Sequence, residues 1–235
     1  MSEKQIIDCR NIIWDWNGTL LNDLEVCVDS INRLLNKREL SPVSIPRYLD
    51  IFTFPVIDYY TAAGFDFSEE PFETVAVEFM DHYLRNVRTA RLHSCVEDTL
   101  KYLKDTGHTQ IILSAMEQME LIKLVKELRI DDYFNYIFGM NNHLAHGKLS
   151  LAHSAFRITG FRRNETCLIG DTLHDAEVAK ELGIHCLLIA DGHQSEERLK
   201  ASGYQVIRNL REVNRIFGRD PDSMSQPRVI GDKVT

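Results

Sequence analysis

A chain of 235 residues, 44% hydrophobic and 26% charged, has the composition of a soluble globular protein that can bury its own core without disulfides or structural metals. Its formal net charge of −8 argues against a general nucleic-acid or anionic-membrane binder, since both need surplus Lys and Arg. The five cysteines (Cys9, Cys27, Cys95, Cys167, Cys186) are scattered and form no C-x-x-C pair, which speaks against a disulfide framework or a zinc site and for a reducing, cytoplasmic setting.

Taken in chain order, Met1 to Arg10 lacks the apolar run of a signal peptide, and no later stretch approaches the ~20 apolar residues that span a bilayer. Ile12-Ile13-Trp14 reads as a short buried strand that runs into the loop Asp15-Trp16-Asn17-Gly18-Thr19. Leu24, Val28, Ile31, Leu34 and Leu35 recur at helical spacing. Pro42, Pro46 and Pro55 then break the chain into short pieces, and a second clear helix follows Pro71. The block 21–91 is therefore mostly helical.

After it the rhythm changes to alternation. Helices are expected around Val96–Leu103, Gln118–Leu128, Leu151–Ile158, Ala176–Leu182 and Glu196–Ala201. Strands are expected at Thr109–Leu113, Tyr136–Phe138, Thr166–Ile169, Cys186–Ile189 and Gln205–Ile207. Such alternation implies an α/β, Rossmann-like, doubly wound parallel sheet. Its first strand is separated from the rest by a helical insert of ~70 residues, far beyond an ordinary loop. The expected organisation is a core of 1–20 and 92–218, an inserted helical cap of 21–91, and a tail of 219–235.

Ligands of open α/β sheets bind beyond the carboxyl ends of the strands. The polar residues that follow these strands are Asp15, Asn17, Gly18 and Thr19, then Ser114, then Asp171, Thr172 and Asp175, with Lys148 in a connection. Gathered at one sheet edge, they combine three carboxylates, a hydroxyl and an ammonium. Magnesium takes hard oxygen ligands, here Asp15, Asp171 and a main-chain carbonyl at Asn17. Ser114 and Lys148 suit the oxygens of a transferring phosphoryl group, with backbone N–H groups around Gly18 and Ala115 as further donors.

Asp15-Trp16-Asn17-Gly18-Thr19-Leu20 resembles the first motif of the haloacid dehalogenase superfamily, Asp-x-Asp-Gly-Thr. Ser114, Lys148 and Gly170-Asp171-Thr172-x-x-Asp175 match its second, third and fourth motifs in order. The insert is similar to the helical cap of the phosphoglycolate phosphatase and β-phosphoglucomutase branch. The resemblance implies a Mg²⁺-dependent phosphatase acting on a small phosphorylated metabolite, as a monomer or homodimer. It makes Asp15 the nucleophile that forms an aspartyl phosphate, assigns phosphate binding to Gly18, Thr19, Ser114, Ala115 and Lys148, and assigns the metal to Asp15, Asn17, Asp171 and, directly or through water, Asp175.

One residue departs from the pattern. Phosphatases of the superfamily carry a second Asp, a general acid-base, where this chain has Asn17. An amide neither donates nor accepts a proton at neutral pH, and general acid-base help contributes about 10²–10⁴-fold. Four readings follow: a phosphatase with a weakened or replaced acid, with His174 as one candidate; a phosphonate hydrolase, whose Schiff-base lysine would have to be Lys37; a haloacid dehalogenase; or a catalytically weak binder of a phosphorylated ligand. A phosphomutase of the same branch stands beside them. In the cap, Arg47 is a candidate clamp for a substrate carboxylate and Phe54 a candidate lid residue. His143 and His146 suggest a metal pair only weakly, because no third ligand is suitably placed.

Overall fold

The apolar run at the start of the chain becomes the centre of the molecule. In the computed structural model, which describes residues 8–140 and 147–217, β1 (Asn11–Trp14) is flanked on both sides by parallel strands and is buried at all four positions. Alternation along it separates the two faces of the sheet. Ile12 and Trp14 enter one apolar cluster and Ile13 the other. Each such aliphatic side chain, fully removed from water, contributes about 1.5–3 kcal/mol.

Next come β2 (Leu21–Asn22), α1 (Leu24–Lys37), α2 (Ile45–Ile51), α3 (Val56–Ala63), α4 (Phe72–Asn86) and β3 (Arg91–Leu92). The two-residue strands β2 and β3 pair antiparallel, so both chain crossings between core and cap run side by side. Between them α1 packs on α4, burying Val28, Ile31, Leu34 and Leu35. Two of the three prolines that seemed to interrupt the insert mark helix starts. Pro46 lies in the first turn of α2, where a missing N–H costs nothing, and Pro55 caps α3.

The core resumes with α5 (Val96–Asp105), β4 (Thr109–Glu117), α6 (Gln118–Glu127), β5 (Tyr136–Met140), α7 (Lys148–Thr159), β6 (Thr166–Gly170), α8 (Leu173–Leu182), β7 (His185–Ile189), α9 (Glu196–Lys200), β8 (Gln205–Ile207) and α10 (Val213–Ile216). The six-stranded sheet has the order β5-β4-β1-β6-β7-β8 and is parallel throughout. The chain leaves β1 for β4 on one side and returns to β6 on the other, so β1 is the switch point where a ligand site is expected. Apolar residues of α7 and α8 cover one face, and those of α5, α6 and α10 the other.

Two expected positions move. β4 runs on to Glu117, and its register against β5 shifts between Leu113 and Glu117, so Ser114 sits within the irregularity rather than after the strand. Lys148 is the first residue of α7 rather than part of a connection. His143, His146 and the expected tail 219–235 lie outside the described residues. No described helix is long and apolar enough to cross a membrane.

Candidate active site

Asp15 leaves the end of β1 with its amide donating to the Ile169 carbonyl of β6 at 2.9 Å, so both strand ends are tied where the site begins. Asp171 follows β6, and Asp175 lies one turn into α8. The carboxylate oxygens of Asp15, Asp171 and Asp175 all lie within 4.8 Å of one another, and all three residues are buried. Lys148 supplies the cation. Its ammonium donates to Asp15 Oδ1 and, at 2.5 Å, to Asp175 Oδ1. A cation in the first turn of a helix opposes the helix dipole, and the carboxylates override that cost.

The remaining contacts of the carboxylates differ. Asp175 Oδ2 accepts from Thr172 N at 3.1 Å and from Thr172 Oγ1 at 2.7 Å, which caps α8 and fixes the side chain. Asp171 Oδ1 accepts from Thr19 Oγ1 at 2.8 Å, and its Oδ2 from the His193 amide at 2.7 Å. The approach is close. A Cβ on Gly18, whose φ is +75°, or on Gly192 would lie 2.2 Å from Asp171 Oδ2, so only glycine fits either position.

Burial pushes the Asp15 carboxyl well up; Lys148 opposes that shift, while Asp175 and Asp171 add to it. Burial likewise raises Asp171 against the influence of His193. For Asp175 the ammonium of Lys148 outweighs burial and holds it below the usual carboxylate range. Lys148 stays charged, because its two carboxylate partners outweigh its desolvation. One ammonium thus faces three carboxylates, and the donors are all oxygen, a set that suits Mg²⁺ rather than a thiophilic metal.

The cap side of the site is organised around a residue that the sequence did not single out. Asp23, buried before α1, accepts from Gly18 N at 3.0 Å, Asn17 Nδ2 at 2.8 Å, Tyr83 OH at 2.7 Å and His193 Nε2 at 3.2 Å. Asn17 Nδ2 also donates to Tyr83 OH at 2.6 Å, so its amide N–H groups are committed to the cap. His193 Nδ1 lies 3.1 Å from Tyr48 OH. Burial alone would lower His193, but Asp23 reverses this and pushes it up to about 9. The same pairing, against burial, keeps Asp23 below its ordinary value.

Core and cap enclose a cavity of about 210 Å³. Asp15, Asn17, Ser114, Ala115 and Lys148 line it, as the sequence suggests, together with Phe54 and His174. Asp23, Cys27, Tyr48, Tyr83 and His193 line it as well. Ser114 is buried, and its Oγ accepts from Met116 N at 3.0 Å.

Four residues have other partners than the sequence reading gave them. Gly18 does not offer its amide to phosphate, because Asp23 and the Leu21 carbonyl take it. Thr19 spends its hydroxyl on Asp171 and its amide on the Trp16 carbonyl at 3.3 Å, so it orients a carboxylate instead of holding phosphate. Arg47 is exposed outside the cavity, with Nη2 reaching the Ala62 carbonyl at 3.4 Å, and is no substrate clamp. Lys37 forms an ion pair with Glu78 at 2.6 Å on the cap surface, which removes it as a Schiff-base lysine.

Fold and site together define a parallel α/β protein that gathers three buried carboxylates and an ammonium at its strand ends. The haloacid dehalogenase-like hydrolase model matches residues 12–189, and the chain belongs to that family. The chain is 23% identical over 213 residues to phosphoglycolate phosphatase 1 of Pseudomonas aeruginosa, covering 87% of this chain and 78% of that relative. It is 24% identical over 199 residues to a 5'-nucleotidase of the same organism, covering 81% and 87%. A haloacid dehalogenase-like hydrolase from Streptococcus pneumoniae superposes with a TM-score of 0.75 at 20% identity, over 88% of this chain and 98% of that one, a likeness of fold alone.

Proposed function

We propose that this hydrolase is a Mg²⁺-dependent phosphatase that cleaves a small phosphomonoester through an aspartyl phosphate on Asp15. The observation that carries the reading is the position of Asp15 on the cavity lining, beside Lys148, with Asp171 and Asp175 within reach of the same point. The names of the relatives support the phosphatase class.

Asp15 attacks phosphorus in line with the departing ester oxygen and accepts the phosphoryl group, and water then hydrolyses the acyl phosphate. Lys148 holds Asp15 in place and meets the negative charge of the phosphoryl oxygens, and Ser114 stands beside them on the lining. Asp15, Asp171 and the Asn17 carbonyl would hold Mg²⁺, with Asp175 acting through Lys148 or through water. The bound ion would offset the repulsion between an anionic nucleophile and an anionic substrate. Thr19 and the His193 amide keep Asp171 oriented for that task.

The cap encloses the reacting centre and excludes water from it. Phosphate release from p-nitrophenyl phosphate, assayed with Mg²⁺ and with EDTA, tests the reading. It predicts turnover with the metal and almost none in the chelator. Equal rates in both, or no turnover with Mg²⁺, would refute it.

A further inference from the structure

We propose that the ester this enzyme cleaves is a small aryl phosphate, with the phosphate carried on the hydroxyl of a single aromatic ring. The inference rests on the phosphatase reading above and narrows its substrate class. Two independent features lead to it, one concerning the leaving group and one the cavity wall.

The first is the proton supply. Asn17 cannot protonate a leaving oxygen, and its N–H groups are already given to Asp23 and Tyr83. Most of the described neighbouring groups are committed as well. The Tyr83 hydroxyl donates to Asp23, and the ring nitrogens of His193 face Asp23 and Tyr48. His174, partly exposed, has its Nδ1 3.3 Å from Glu177. An alkoxide leaves badly without a proton, whereas a phenolate leaves well. The balance closes without an acid: the bond from phosphorus to the phenolic oxygen breaks with its electron pair and phenolate departs. Water then opens the aspartyl phosphate, restoring the carboxylate and releasing dihydrogen phosphate with both of the water's protons.

The second is the wall. The apolar part of the cavity lining consists of Tyr48, Phe52, Phe54 and Phe79, with Met80 and Met116. Tyr48 and Phe52 are stacked at 5.2 Å, and Phe54 meets Phe52 edge-on at 5.5 Å, a surface made for another ring. Among the described residues a substrate carboxylate would find no free cation there. Lys148 is held by Asp15 and Asp175, His193 by Asp23, and Arg47 lies outside. At about 210 Å³ the space falls below the ~300–1,000 Å³ of drug-sized pockets, which favours a small occupant such as a single ring.

The test separates leaving group from ring. With Mg²⁺, kcat is measured for phenyl phosphate, benzyl phosphate and phosphoglycolate, and competitive inhibition is measured for phenylphosphonate and phosphonoacetate. The expected result is a kcat for phenyl phosphate about 100-fold or more above both alkyl esters. Phenylphosphonate should bind more tightly than phosphonoacetate. Phosphoglycolate turned over as fast as phenyl phosphate would overturn the inference while leaving the phosphatase reading intact, as would a benzyl ester that matches the phenyl ester. Tighter binding of phosphonoacetate would overturn the ring assignment. Failure on all three esters with p-nitrophenyl phosphate still cleaved would overturn the inference, and failure on that ester as well would remove the phosphatase reading itself.

Discussion

Around Asp15, three buried carboxylates cluster, and among the described residues one ammonium, that of Lys148, pairs with two of them. On the cap side of the same cavity, Asp23 is matched by a charged His193 and by neutral donors from Gly18, Asn17 and Tyr83. The first cluster is left with excess negative charge and is stable only with a cation or a proton to share. The second is balanced as it stands. The contrast explains Asn17, because a carboxylate there would confront Asp23 across 2.8 Å, where an amide donates instead. The missing acid is thus part of a network built around an amide. The proposed chemistry uses the unbalanced half, and the balanced half ties α1 and α4 to the loop after β1.

The largest effect should come from Asp15→Asn, which removes the nucleophile. Turnover is expected to fall by about four orders of magnitude or more, with circular dichroism and thermal melting close to wild type. A variant that kept wild-type turnover would exclude the nucleophile assignment. Lys148→Met strips the unbalanced cluster of the only cation that faces it among the described residues. Its loss leaves buried carboxylates unpaired, at a cost of about 3–5 kcal/mol in urea unfolding without metal. Mg²⁺ should recover part of that loss, by more than it stabilises wild type.

The balanced half can be tested by pH. His193 is raised in the folded state to about 9 from an ordinary 6.5, so its contribution is complete below about 6.5 and is lost as pH rises through about 9. Urea unfolding in EDTA should show wild type losing on the order of a few kcal/mol between those pH values, whereas His193→Gln should lose much less. An equal decline in both would place the sensitivity elsewhere. The smallest effect is expected for Arg47→Ala, which should change stability by less than about 0.5 kcal/mol and leave substrate affinity as it was.

Much of this site can be read along the chain, because strand ends at a switch point carry the chemistry. Asp15, Ser114 and Asp171 each follow an apolar run of strand formers, and local pattern suffices to find them. The same reasoning, applied after Cys186–Ile189, leads to Gly192 and His193, which the sequence reading passed over. Asp23 was hidden differently. An Asp just before a periodic helix reads as a cap, yet its carboxylate makes no cap bond and serves the site instead.

Tyr48 and Tyr83 lie on helical stripes that read as core, and both are buried; only the docking of the cap on the core turns their hydroxyls toward His193 and Asp23. The role of Thr19 was misread for a related reason. Its neighbour in space is Asp171, 152 positions away in sequence, and no local spacing encodes that contact.

The most direct test of the account is to quench the enzyme with acid during turnover of p-nitrophenyl phosphate and map the peptides by mass spectrometry. The account predicts one phosphoryl group on the peptide that carries Asp15, at its carboxylate, and none in Asp15→Asn. Sustained turnover with no phosphoryl group on that peptide, or with the group on another residue, would contradict it.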